Sequence, residues 1–158
     1  MGRGVTFDGT SFRCATRGLS WDERGTPDIW QDASMKHSPG FLAVVEQAKR
    51  GIRETTAAEV KKRLDQGEQF VFVDVREDSE FAADRAAGAR HIGRGVLERD
   101  IESLIPDPNA EIVLYCGGGF RSALAAESLR KMGYLNVWSM DGGIRARRDA
   151  GYPIEKGV

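Results

Sequence analysis

Two short runs, FVFVDV at 70–75 and IVLY at 112–115, constrain the fold of this 158-residue chain more than any other feature. Each is almost wholly apolar and rich in β-branched residues, without the polar alternation of a half-exposed strand, as expected of strands buried on both faces. Strands of that kind need helices above and below them, and helical signals fill the intervals. Ser38-Pro39 reads as an N-cap with proline at the first helical position, opening a helix that Gly51 closes. Thr56 and Glu59 have the spacing of a capping box, Ala57, Val60 and Leu64 line one helix face, and Gly67 stops it. Further helices are expected over 97–105, 121–132 and 144–150, with a weaker strand over 89–92 and a clear one over 135–140. The pattern is that of an α/β fold, a parallel sheet with helices on both faces.

Composition narrows the class. At 41% apolar and 30% charged residues the chain is ordinary globular material, and its length suits one domain. Lys plus Arg is 23 against 24 for Asp plus Glu, so no basic excess recommends a nucleic-acid partner, although a local basic pocket stays open. The longest apolar runs, 41–45 and 112–116, fall far below the roughly 18 residues of a membrane span. The opening MGRGVTFDGT has no apolar core of a secretory leader. Two cysteines, Cys14 and Cys116, build neither a disulfide framework nor a CxxC pair nor a zinc site. The expectation is a cytoplasmic protein without membrane, metal or cofactor. Residues 1–34 carry scattered glycines and aromatics without period and read as an irregular arm. The arm is either an upstream extension with Met35 as the natural start or a segment packed on the domain. Residues 35–52 are read as an N-terminal helix and 53–158 as the working domain.

In a parallel sheet, ligands bind beyond the carboxyl ends of the strands. The junction YCGGGFRSALAAESL at 115–129 places Cys116 there, followed by Gly117, Gly118 and Gly119, with Phe120, Arg121 and Ser122 opening a helix. Consecutive glycines let the backbone curl so that successive N–H groups form a cradle for an anion at a helix N-terminus. Those dipoles and the Arg121 guanidinium favour a thiolate. The gain is large, because a free thiol of pKa about 8.5 is only ~3% ionised at pH 7. A lone cysteine at a strand end is ordinarily a small buried hydrophobe. Three glycines, each costing roughly 0.5–1 kcal/mol in a regular element, argue for chemistry instead. A phosphate-binding P-loop is excluded by the missing Lys-Ser/Thr pair.

The stretches FVDVREDSEF at 72–81, LYCGGGFRSALAAESLRKMGY at 114–134, NVWSMDGG at 136–143 and AGYP at 150–153 resemble the rhodanese-like (sulfurtransferase) superfamily, in particular its single-domain members. The resemblance implies a doubly wound, mostly parallel five-stranded sheet and transfer of sulfane sulfur. The Cys116 thiolate would take sulfur from a small anionic donor such as thiosulfate. The resulting persulfide would be held by the amides of 117–121 and would pass its outer sulfur to a thiol, cyanide or protein acceptor. Four residues between Cys116 and Arg121 match the sulfurtransferase loop; phosphatase-type and arsenate-reductase-like members have one more. A non-catalytic binding or sulfur-relay module is the reading from another class. Asp74 and Arg76 fall on the family's DVR element and are expected to support the loop or to form a plain ion pair. Three places depart from the pattern: Asp84-Arg85 where Gly-His is common, and Ile144 and Arg147 where tryptophans are usual. His91 is read as structural, His37 carries no signal, and Cys14 as a resolving thiol has no support. Arg145, Arg147 and Arg148 are read as a solvated helix face.

Overall fold

The computed structural model of the protein describes residues 37–157; the arm at 1–34, with Met35 and Cys14, lies outside the described residues. The elements in chain order are α1 (Pro39–Gly51), β1 (Arg53–Thr55), α2 (Ala57–Asp65), β2 (Val71–Asp74), α3 (Asp78–Ala83), β3 (Asp84–Ala86), β4 (Arg90–His91), α4 (Leu97–Leu104), β5 (Ile112–Tyr115), α5 (Phe120–Lys131), β6 (Val137–Met140), α6 (Gly143–Asp149) and β7 (Ile154–Lys156). Five strands form one sheet in the order β1-β6-β5-β2-β4, and every adjacent pair is parallel. Strands β3 and β7 make a separate antiparallel pair, with Ala86 opposite Ile154. The fold class is therefore α/β with a five-stranded parallel sheet.

The apolar run of β5 makes it the central strand. All four of its residues are buried, and its side chains alternate between two cores. Ile112 and Leu114 join Val73, Leu97, Ile101, Ala125 and Leu129, so α4 and α5 cover that face. Val113 and Tyr115 join Phe72, Val60, Met140 and Ile144, so α2 and α6 cover the other. Cys116 continues the alternation past the end of the strand and falls in the first of these cores. The period of two thus sets which way the sulfur faces before any loop geometry is considered.

Local signals place the helices. Thr56 Oγ1 accepts the Glu59 N–H at 3.2 Å, and Gly133, just past α5, takes the left-handed conformation that ends it. Helix α3 and the three-residue strands β1, β3 and β7 lack a periodic signal long enough to read.

The arginines of α6 do not share one solvated face, which corrects the sequence expectation. Arg147 is 1% exposed; its guanidinium lies 5.6 Å from the Phe72 ring and 5.8 Å from that of Tyr152. A planar cation between aromatic rings fills the core position usual for tryptophan, and burial lowers its pKa. Ile144 is equally buried one helical turn earlier. Arg148 instead pairs with Asp84 at 2.6 Å. Asp84, another departure from the family pattern, thus has its counter-charge on α6. Burial pushes the Asp84 carboxyl up, and Arg148 with Arg76 outweighs that and holds it below its ordinary value. Arg85 pairs with Glu155 at 3.0 Å and covers the Phe81 ring.

Candidate active site

The segment 116–119 leaves the carboxyl end of β5 and turns into α5. Cys116, the free cysteine among the described residues, is buried, and the Gly119 N–H donates to its Sγ at 3.2 Å. Gly119 has φ of 96°, the left-handed region, and a β-carbon there would lie 3.1 Å from Gly142 N and 3.3 Å from Asp141 Cα. Glycine is required at this corner by both strain and space. Gly117 and Gly118 are different: what a β-carbon would meet there is chiefly arginine side chain. At Gly117 it would lie 3.3 Å from Arg121 Nη2, and at Gly118 3.6 Å from Arg145 Cζ. Two guanidinium groups, those of Arg121 and Arg145, thus lie beside the backbone at these two positions.

The other wall of the loop is α6. Ile144 N–H donates to the Cys116 carbonyl at 2.9 Å and Arg145 N–H to that of Gly117 at 3.2 Å. That close approach depends on Gly143, where a β-carbon would sit 2.2 Å from the Cys116 carbonyl oxygen. Phe120 opens α5 beside the loop, its ring 6.1 Å from that of Phe41 on α1. Ser122 points elsewhere: its buried hydroxyl accepts from Ser139 Oγ at 2.9 Å and ties α5 to β6.

Arg121 is not an uncompensated charge. Its Nη1 and Nη2 donate to the two Glu80 carboxylate oxygens at 2.6 and 3.0 Å, and Glu77 lies 3.8 Å away. The bidentate bonds from Arg121 hold the Glu80 carboxyl below its ordinary range. Glu80 also accepts the Glu77 N–H at 3.2 Å, so one carboxylate caps α3 and positions the loop arginine. This residue was not singled out from the sequence, although Glu77 and Glu80 have capping-box spacing. A carboxyl with a lowered folded pKa stabilises above its ordinary value of 4.5 and loses that contribution as pH falls through the folded value. Glu80→Gln is therefore expected to lower stability by about 0.5–1 kcal/mol at pH 7, the scale of a part-exposed pair. The gap between variant and wild type should close as denaturation is measured at progressively lower pH.

Asp74 and Arg76 lie deeper. Both are buried, with Arg76 Nη2 donating to Asp74 Oδ2 at 2.7 Å and to the Asp84 carbonyl at 2.6 Å. Their hydrogen bonds lock the end of β2 to β3 rather than reaching residues 116–121. Tyr115, beside them, donates no help to the loop either: its hydroxyl accepts the Ala86 N–H at 3.1 Å, and burial raises its pKa. His91 Nε2 is 2.9 Å from the Arg76 carbonyl oxygen and its ring stacks on Phe81. Among the described residues no group of His, Cys, Asp and Glu is arranged to hold a metal ion, and no helix is long and apolar enough to cross a membrane.

A family model described as a rhodanese-like domain matches residues 56–150. Among curated relatives, the "tRNA uridine(34) hydroxylase" of Erwinia tasmaniensis is 37% identical over 106 residues, which cover 62% of this chain and 30% of that protein. The chain therefore spans well under half the length of these relatives. The "Putative sulfurtransferase YtwF" of Bacillus subtilis is 33% identical over 95 residues, 60% of this chain and 89% of that one. Among solved structures, a Rhodopseudomonas palustris protein of unknown function, described as a possible tyrosine phosphatase, is 34% identical with a TM-score of 0.66. It is covered to 98%, and this chain to 77%. A thiosulfate sulfurtransferase from Pseudomonas aeruginosa is 26% identical with a TM-score of 0.64, over 71% of this chain and 22% of that one.

Proposed function

Because the chain belongs to the rhodanese-like domain family, we propose that it is a sulfurtransferase in which Cys116 carries sulfane sulfur from a small anionic donor of the thiosulfate type to a thiophilic acceptor. The observation that carries this reading is the loop itself. Four residues separate Cys116 from Arg121, and within that span a backbone N–H already donates to Sγ.

The step needs few groups. The Cys116 thiolate attacks the outer sulfur of thiosulfate, an S–S bond forms to Sγ, and the original S–S bond breaks with its electron pair leaving on sulfite. Cyanide or a thiolate then attacks the outer sulfur of the persulfide and returns the Cys116 thiolate; with cyanide the product is thiocyanate. Neither half needs a general base once the thiolate is present. The Gly119 N–H and the start of α5 favour negative charge on Sγ and on the persulfide sulfur. Gly117, Gly118 and Phe120 shape the loop, Arg121 anchors it to α3 through Glu80, and Ser122 anchors it to β6. Asp74 and Arg76 hold the strand ends from beneath. Cytoplasmic reducing conditions would keep Cys116 a thiol between turnovers.

The rivals make different predictions. A sulfur-relay module uses the same persulfide but receives its sulfur from another protein, so cyanide would strip a preloaded Cys116 once and thiosulfate would not reload it. A phosphatase, the description attached to the Rhodopseudomonas neighbour, needs room for a tetrahedral oxyanion that a four-residue loop restricts. RNA hydroxylation is the activity named for relatives that share only 30% of their length with this chain, and a net charge of −1 gives no electrostatic preference for a polyanion. Incubation with thiosulfate and cyanide should release thiocyanate over many turnovers. Thiocyanate limited to one equivalent would reassign the chain to sulfur relay. Cys116-dependent hydrolysis of an aryl phosphate without thiocyanate would reassign it to the phosphatases.

A further inference from the structure

The positive charge expected at the loop has to come from somewhere, and Arg121 is largely spent on Glu80. Two of the three arginines of α6, and Lys49 on α1, are also committed. Arg148 is paired with Asp84, Arg147 is buried between rings, and Lys49 donates to Asp141, the carboxylate bordering Gly119, at 2.9 Å. Arg145 is exposed, and among the described residues no carboxylate lies within ion-pair distance of it. Its backbone N–H is fixed to Gly117, and its guanidinium lies against the Gly117–Gly118 backbone, 3.9 Å from a β-carbon built on the first and 3.6 Å from one built on the second.

From this placement we infer that Arg145, rather than the loop arginine, recognises the anionic end of the sulfur donor and so selects donors whose leaving group is an oxyanion. The inference rests on the sulfur-transfer reading for its substrate and on geometry alone for its charge. When Cys116 attacks the outer sulfur of a thiosulfate-type donor, the departing sulfite carries away the electron pair of the broken S–S bond. A guanidinium on the solvent side of the glycines can hold that dianion by two parallel N–H bonds.

The test uses two readouts on Arg145→Gln and Arg145→Lys. The first is steady-state sulfur transfer, where Arg145→Gln should raise the KM for thiosulfate about tenfold with kcat within a factor of about two, and Arg145→Lys should recover part of the loss. The second needs no sulfur chemistry: the rate of Cys116 alkylation by anionic iodoacetate relative to neutral iodoacetamide. Arg145→Gln should lower that ratio severalfold, and added salt should erase the difference. Lys131→Gln, the same charge change at the far end of α5, should leave the ratio as in wild type. An unchanged ratio in Arg145→Gln overturns the inference whether or not the protein transfers sulfur. A lowered ratio in a protein that makes no thiocyanate upholds anion recognition by Arg145 and removes the sulfurtransferase reading.

Discussion

Replacing Cys116 with alanine is expected to lower thiocyanate formation by at least about 10³-fold while the protein stays folded. Nothing else among the described residues offers a second route. His91 is bound to the Arg76 carbonyl and stacked on Phe81, and Ser122 is buried against Ser139. The alanine removes one sulfur atom from a packed position, so the stability loss should be near 1 kcal/mol, read by urea denaturation. Cys116→Ser should be equally inactive, since the hydroxyl lacks a base to ionise it. An alanine variant retaining a tenth of wild-type turnover would place the nucleophile elsewhere.

The second large effect falls on a residue that touches no substrate. Gly143 has φ of 53°, and a β-carbon there would stand 2.2 Å from the Cys116 carbonyl oxygen and 2.8 Å from both Gly117 C and O. All three are backbone atoms, so no rotamer change relieves the contact. Gly143→Ala combines left-handed strain with overpacking and is expected to cost about 2–5 kcal/mol. Because α6 holds the loop through the Ile144 and Arg145 N–H groups, activity should fall by about 10²-fold even where the protein remains folded. Gly133→Ala separates the two causes. Its φ is 98° but open space surrounds it, so it should cost only about 1–2 kcal/mol and leave turnover unchanged. Equal effects of the two substitutions would mean that the contact between α6 and the loop is not what shapes the site.

The sheet was legible wherever strands were long and apolar. IVLY reads as β5 residue for residue because burial on both faces leaves no polar positions, and FVFVDV loses only its end residues. Strands β1, β3 and β7 are three residues each and owe their pairing to partners far along the chain, Lys156 opposite Asp84 for one. A period cannot be recognised in three residues. The proposed nucleophile stands out in the sequence because a glycine run after a buried strand has few other uses. The charges around it do not. At about 100° per residue Arg147 and Arg148 both fall on the face of the helix that carries Ile144, three and four positions on, and only Arg145 points away. The period does not choose between the two; the Phe72 and Tyr152 rings take Arg147 into the core, and Asp84 holds Arg148 outside it. The partner of Arg121 lies 41 residues away in the chain, on a helix too short to be read.

The central claim is that Cys116 takes sulfur covalently, and intact-protein mass spectrometry after brief exposure to thiosulfate tests it most directly. The account predicts a gain of one sulfur atom in wild type, mapped to the peptide carrying Cys116, lost on adding cyanide and absent from Cys116→Ala. A wild-type protein that keeps its original mass, or an adduct that persists in the alanine variant, would contradict it.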